Sequence, residues 1–387
     1  MATKSWKLTD TRAGVFVEQL KIGPEDVSGA KGFSLAKRTL RGGLSDGVDV
    51  IHVDNGTFSF DVLPTRGMGL WKAWLCELEI GWKSPVAGPV HPKLVPLTDP
   101  GGLGWLEGFD ELLVRCGLES NGAPDFDKDG RLAYPLHGRI ANKPAHLVYV
   151  SFDGDRREIT IVGVVDETRF HFQKLRLTST IKTTLGEPGL RIHDEVQNLS
   201  GLPAEMQMLY HTNFGQPLVD PGSKFVAPLK TVVPATSRAA EGIKTWDSYA
   251  NEEAGYAEQV YFTELLADGD GRTQTLLKNA HGTRGVSMRF NIRGLPYFTL
   301  WKNTVAAADG YVTGLEPATN FPNARSYETE QGRVTRLPPG GKVAFDLQIE
   351  VHGNTAGVQK AEKAIASLQG GTEILIHNKP QPGWSPS

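Results

Sequence analysis

Cysteine is scarce in this chain: Cys76 and Cys116 are the only two in 387 residues. Two thiols cannot build a disulfide scaffold, so reduced thiols in a cytoplasmic compartment are the expectation. Long apolar runs are missing as well. None approaches the ~18 residues needed to span a bilayer, and the opening MATKSWKLTD has no apolar stretch of signal-peptide kind. Nor is there an excess of one charge, since 41 Lys+Arg against 44 Asp+Glu give a formal charge of -3. That balance leaves no electrostatic footprint for nucleic acid or an anionic membrane. The chain also has no His-Glu-x-x-His, no paired Cys-x-x-Cys and no Gly-x-x-x-x-Gly-Lys. Zinc-type and nucleotide-driven chemistries therefore lack support, and neither a metal nor an organic cofactor is expected.

What is present is a globular composition, 39% hydrophobic and 22% charged, with 44 Gly and 24 Pro spread among many turns. Between the turns the period is two. Phe58, Phe60 and Val62 alternate with polar neighbours, as do Leu175, Leu177 and Ile181, and Val286, Met288, Phe290 and Ile292. The run from Val343 to Val351 is the cleanest case. Such alternation marks half-buried antiparallel strands. Further strands are expected at Glu158–Val165, Leu190–Asn198, Glu205–Tyr210 and Tyr297–Trp301. Helical patterns are few: a short one near Asp110–Leu118 and a better one at Val358–Leu368, the latter a short C-terminal helix. The expected fold class is all-β, a sandwich of antiparallel sheets forming one domain over 1–371, followed by a poorly ordered C-terminal tail at 372–387. The Pro- and Gly-rich stretch Gly81–Gly108 reads as a long ordered loop packed on the sandwich, and long loops in compact domains are usually functional.

Four segments put polar residues among turn formers at or near strand ends: Pro64–Gly69, Leu136–Pro144, Leu209–Gly215 and Gly314–Ala324. The last three read His-Gly-Arg-x-Ala-Asn-Lys-Pro, then Tyr-His-Thr-Asn-Phe-Gly, then Gly-Leu-Glu-Pro-Ala-Thr-Asn-Phe-Pro-Asn-Ala. Taken in this order, they resemble the aldose 1-epimerase (galactose mutarotase-like) superfamily over about Val48–Val351, in a divergent branch. The resemblance implies a β-supersandwich, a sugar substrate and an isomerase that interconverts anomers. It also implies Glu316 as general base, His211 as general acid and His137 beside the sugar ring. Arg66 and Asn142 are candidates for hydroxyl contacts, Trp301, Trp71 and Tyr210 for stacking on a pyranose face, and Asp309 for a further sugar contact.

The chemistry asks for such a set. Exchanging α and β anomers requires opening the C1–O5 bond, rotating about C1–C2 and reclosing. One group takes the O1 proton while another donates to O5, each contributing roughly 10²–10⁴-fold. The chain departs from the family pattern at Arg139, Thr212, Asn213, Ala318 and Asn323. A cationic pocket from Arg66, Arg139 or Lys302 would favour an acidic or phosphorylated sugar. Each residue also has a structural reading. Glu316 could pair with Arg325 or Arg333, His211 and His137 could be core histidines, Arg66 could cap loop carbonyls, and Trp301 could be plain core. Two other functions use the same residues: epimerisation or elimination on a modified sugar, and a non-catalytic carbohydrate-binding protein. Glycoside hydrolysis is disfavoured for want of a second carboxylate in a comparable motif. Three histidines, His52, His137 and His211, would form a metal site only if they shared one pocket.

Overall fold

The computed structural model describes residues 3–27 and 31–386, so the outer limits Met1 and Ser387 named above lie outside the described residues. Two large sheets dominate. The ten-stranded sheet runs in order Lys224–Val226, Arg272–Lys278, Gly285–Asn291, Lys342–His352, Gly189–Asn198, Lys174–Thr184, Glu158–Thr168, Leu147–Asp153, Lys4–Asp10 and Val15–Phe16. The fourteen-stranded sheet has at its centre Gln259–Leu265, Tyr297–Asn303, Val312–Ala318, Ala204–Phe214, Leu113–Leu118, Gly69–Leu75 and Phe58–Leu63. The alternation that predicts each strand is the alternation of its burial. Lys174–Thr184, for example, buries every second side chain from Leu175 to Thr183. Side chains from both sheets, among them Ile161, Leu177, Ile192 and Leu347 against Phe60, Met208, Leu300 and Leu315, share one apolar cluster. The fold is the expected antiparallel sandwich, with few helices.

One ion pair crosses that core. Arg115, on Leu113–Leu118, donates to Asp194, on Gly189–Asn198 of the opposite sheet, and both side chains are fully buried. The guanidinium also donates to the Met68 carbonyl (2.6 Å) and to Ser179 Oγ (2.8 Å), and Tyr210 donates its hydroxyl to Asp194 (2.9 Å). These bonds answer the donors and acceptors that burial would otherwise leave unpaired.

Two expectations need correcting. Asp110–Leu118 is not helical, because Leu113–Leu118 is a strand whose six residues are all buried. A strand covered on both faces loses its alternation, and its apolar run then mimics a helix segment. Nor is the chain beyond residue 371 a loose tail. Leu375–Ile376 pairs in parallel with Leu229–Pro234, and Trp384 stacks on Phe321 at 5.0 Å. Asn323 donates to the Trp384 carbonyl (2.9 Å), Arg333 to that of Gly383 (2.6 Å) and Tyr327 to that of Ser385 (2.8 Å). The helix Thr355–Gln369 does form. It is capped by Asn354, whose side chain accepts from the Gly357 N–H (2.9 Å), and it buries Val358, Ala361 and Ile365. Among the described residues, no helix is long and apolar enough to cross a membrane.

Removing one partner from a buried ion pair costs about 3–5 kcal/mol. Asp194→Ala is therefore expected to lower the urea-unfolding free energy by about that amount, whereas an unchanged midpoint would show that the inter-sheet pair adds no stability.

Candidate active site

The strand Ala204–Phe214 is buried almost throughout. Met206, Met208, Tyr210 and Phe214 enter the inter-sheet core. Leu209 lies on the other face in a smaller cluster with Trp82, Trp105, Phe109, Val114, Cys116, Val312 and Ala318. His211 and Asn213 follow Leu209 at the same period of two, so they share that outer face. The neighbouring strand Val312–Ala318 contributes Gly314 and Glu316 in the same way. Register does the rest. The antiparallel pairs Leu209↔Ala318 and Thr212↔Leu315 put His211 opposite Glu316 across adjacent strands. His211 Nε2 lies 3.2 Å from Glu316 Oε1, and each side chain is about 95% buried or more.

Around His211 stands a ring of aromatic groups: Phe109 at 5.2 Å, Trp301 and His137 each at 5.3 Å, and Trp105 at 6.1 Å between ring centroids. The long loop delivers much of this wall. It runs from Gly81 through two short 3-10 turns to Leu112 and lays Trp82, Trp105 and Phe109 over the outer face of the sheet. His137 arrives from a tight loop in which it and Gly138 take positive φ, 56° and 72°. A side chain at position 138 would meet the Ser120 carbonyl at 2.0 Å and that of Gly117 at 2.3 Å, so the glycine is what lets this loop sit against the sheet. The left-handed turn at His137 is the kind of backbone strain that gathers at functional sites.

The tautomers follow from the acceptors. His211 Nδ1 lies 2.6 Å from Asn213 Oδ1, while Asn213 Nδ2 donates to the carbonyls of Glu111 and His211. His137 Nδ1 lies 2.9 Å from the Asn121 carbonyl. Both Nδ1 atoms must therefore carry hydrogen, which leaves both Nε2 atoms bare when the rings are neutral. Burial holds His211 well below its ordinary value, with His137 adding to the effect and the Asn213 bond opposing it. Burial likewise pushes His137 down to about 4. Glu316 moves the other way, well above the carboxylate range, first through burial and then through the Glu258 carboxylate. Burial thus favours a protonated Glu316 facing a neutral His211. Two buried polar atoms here, Glu316 Oε1 and Trp105 Nε1, take part in no aligned hydrogen bond with a described residue.

The other expected site residues separate. Arg66 is not free to hold a sugar. Its guanidinium is 1% exposed and donates to Glu111 (2.5 Å), the Val90 and Gly108 carbonyls (2.9 and 2.8 Å) and Asn142 Oδ1 (3.0 Å). Arg66 instead fixes Glu111, whose carbonyl receives Asn213 and Trp82 (3.0 and 3.1 Å). Asn142 keeps a buried Nδ2 without a partner. Arg139 is half-buried two residues beyond His137, and no hydrogen bond or ion pair engages its side chain among the described residues. Trp301 is half-buried against His211, with Nε1 donating to Glu258 (2.7 Å). Asp309 lies exposed on a 3-10 turn, with no hydrogen bond or ion pair to the His211–Glu316 group. Tyr210 points into the core, and Trp71 donates to Asp110 (2.7 Å), so neither belongs to the aromatic wall. Lys302 occupies the opposite face of the strand from Trp301. Glu316 makes no ion pair with Arg325 or Arg333, which bind Glu205 and Glu328. His52 is bonded to Asp61 (2.7 Å) outside the ring of aromatics, so the three histidines do not meet. Among the described residues, no group of three or more His, Cys, Asp or Glu side chains is arranged to hold a metal ion.

The sequence reading missed Trp82, Trp105, Phe109, Asn213 and Gly314. Two tryptophans inside a Gly/Pro-rich loop were the available signal for the wall, and the i, i+2 spacing from His211 was the signal for Asn213. Gly314 has a plain reason. A Cβ there would lie 2.4 Å from Glu316 Oε1 and 3.1 Å from His211 Cε1. Gly314→Ala is expected to force the pair apart and shift the His211 imidazole resonances, with any sugar turnover falling at least tenfold. Unchanged resonances would mean that the glycine makes no room for the pair.

A family described as a domain of unknown function (DUF4432) matches residues 45–351. Among solved structures the chain is similar to a "putative aldose 1-epimerase" from Klebsiella pneumoniae, at 34% identity over 98% of this chain and 99% of that one, with a TM-score of 0.94. It shares its fold with a galactose mutarotase-like protein from Clostridium acetobutylicum (14% identity, 83% and 99% of the two chains, TM-score 0.58). A galactose 1-epimerase from Lactobacillus acidophilus has the same fold (13% identity, 83% and 99%, TM-score 0.54). Comparison with curated proteins gave no match.

Proposed function

The chain belongs to the DUF4432 family, within the aldose 1-epimerase and galactose mutarotase-like proteins, and from that premise we propose that it is a carbohydrate isomerase that interconverts sugar anomers. The observation that carries this reading is the buried pair itself, with His211 Nε2 3.2 Å from Glu316 Oε1 inside an aromatic enclosure. Binding alone needs no matched proton donor and acceptor.

The directions of the two shifts modify the roles expected from the sequence. A neutral imidazole with a bare Nε2 is a base, and a buried, protonated carboxyl is an acid. In the resting pair, His211 accepts the O1 proton as Glu316 donates to O5. The C1–O5 bond breaks and C1–O1 becomes a carbonyl. After rotation about C1–C2 the O5 hydroxyl attacks the other face of C1, returning its proton to Glu316 while His211 reprotonates O1. Two protons move, one through each side chain, and the pair ends the cycle in its starting state. His137, neutral and bound to Asn121 through Nδ1, accepts a sugar hydroxyl at Nε2. Trp301 supports the pyranose face.

Glu316→Gln and His211→Ala are each expected to lower the α/β exchange rate measured by saturation-transfer NMR by about 10²–10⁴-fold. Retained exchange would sink the assignment. The Gln variant has a second signature. A carboxyl whose folded pKa is raised holds its proton in the fold but loses it in the unfolded chain above pH ~4.3. Stability therefore falls as pH rises from there towards the raised value. Glu316→Gln is expected to fold normally and to lose less stability than wild type as pH rises from about 4.3, as read by thermal unfolding.

Substrate class follows from the cations. Arg66 is committed elsewhere and Lys302 lies on the opposite face of its strand from Trp301, which leaves Arg139 as the guanidinium near His137 that no described residue engages. We infer that the sugar carries a carboxylate or phosphate that Arg139 receives. Arg139→Gln is expected to raise KM for a uronic acid or sugar phosphate at least tenfold and to leave neutral hexoses unaffected. A wild-type preference for neutral hexoses would refute the inference.

A further inference from the structure

Lys302 presents a second, separate feature. It is 4% exposed and points away from His211, on the face of its strand opposite Trp301. An ammonium has three donors. Two reach the carbonyls of Thr245 (3.0 Å) and Ser248 (2.6 Å), and the charge lies over the rings of Tyr249 (5.3 Å) and Tyr261 (6.0 Å). No carboxylate forms an ion pair with it among the described residues, and Asp247 acts only at longer range. A buried ammonium without a counter-ion is costly and rare.

This ammonium also lines a cavity of about 340 Å³, together with Arg238, Glu241, Tyr256, Gln259 and Thr304. The volume is that of a small-metabolite pocket. Arg238 stands half-buried at the rim, over the Tyr256 ring at 5.1 Å, and is paired with Glu241 (2.6 Å). Gln259 closes another side, accepting from Tyr256 (2.7 Å) and donating to the Arg238 carbonyl (3.1 Å). The lining therefore holds two cations and one carboxylate, a net positive charge around a donor that the protein leaves unanswered. Burial pushes Lys302 down to about 8, so the ammonium is still mostly charged at neutrality and gains from a bound anion.

We propose that this cavity is a binding site for a small organic oxyanion, a phosphate monoester or a carboxylate, seated on Lys302 Nζ with Arg238 at its mouth. The site is distinct from the His211–Glu316 pair, and its ligand is not the substrate. Calorimetric titration of the full chain with inorganic phosphate, glycerol 3-phosphate and succinate tests it, the last two separating phosphate from carboxylate recognition. Saturable binding of at least one probe is expected, weakened at least tenfold in Lys302→Met, severalfold in Arg238→Gln and not at all in Glu316→Gln. Replacing a buried unpaired ammonium by an apolar chain of similar length leaves the fold stable. Should the Met variant nevertheless fail to fold, the Arg238→Gln arm decides. No binding of any probe, affinity that survives both cavity variants, or loss of binding in Glu316→Gln would overturn the proposal. The last result would place the anion at the catalytic pair.

Discussion

Directly behind His211, one residue back along the strand, Tyr210 and Arg115 meet on the carboxylate of Asp194. This buried ion pair ties the two sheets together at the level of the site, so the strand carrying His211 is anchored from its inner face. Its outer face is then free to present His211 and Asn213 at a fixed height above the sheet. The same logic reaches Glu316 through ordinary strand register, which sets its carboxylate opposite an imidazole that is about a hundred residues away in sequence. Precision in the site comes from sheet geometry, and the loops add cover.

That cover determines the electrostatics. With aromatic rings packed around His211 and both side chains buried, neither Glu316 nor His211 is stabilised as an ion, and both shift towards their neutral forms. In water an acid and a base so close would exchange charge with little constraint. Here the low-dielectric surroundings favour the proton on the carboxyl. Arg66 matters to this arrangement without touching a sugar, since it fixes Glu111, Glu111 holds Asn213, and Asn213 sets the tautomer of His211.

Much of the fold was legible because burial on one face writes itself into sequence as alternation. Val343–Val351 lies wholly within the strand Lys342–His352, and Leu190–Asn198 within Gly189–Asn198. Where both faces are covered the signal vanishes, which is why Leu113–Leu118 resembled a helix segment. That His211 and Glu316 meet was legible through their motifs, because the Tyr-His-Thr-Asn and Gly-Leu-Glu-Pro segments lie on adjacent central strands. The electrical state of the pair was not. Burial is a property of what packs around a group, and the packing comes from Trp82, Trp105 and Phe109, which no local pattern links to His211. Arg66 shows the same gap from another side. A cation beside a turn reads as a ligand contact until its acceptor, Glu111, is seen.

The clasp made by residues 383–385 has a consequence for which substitutions it can bear. Asn323, Tyr327 and Arg333, all just downstream of Glu316, each donate to a backbone carbonyl of this stretch. Because all three acceptors belong to the main chain, the clasp depends on the identity of its donors and not on the side chains of residues 383–385.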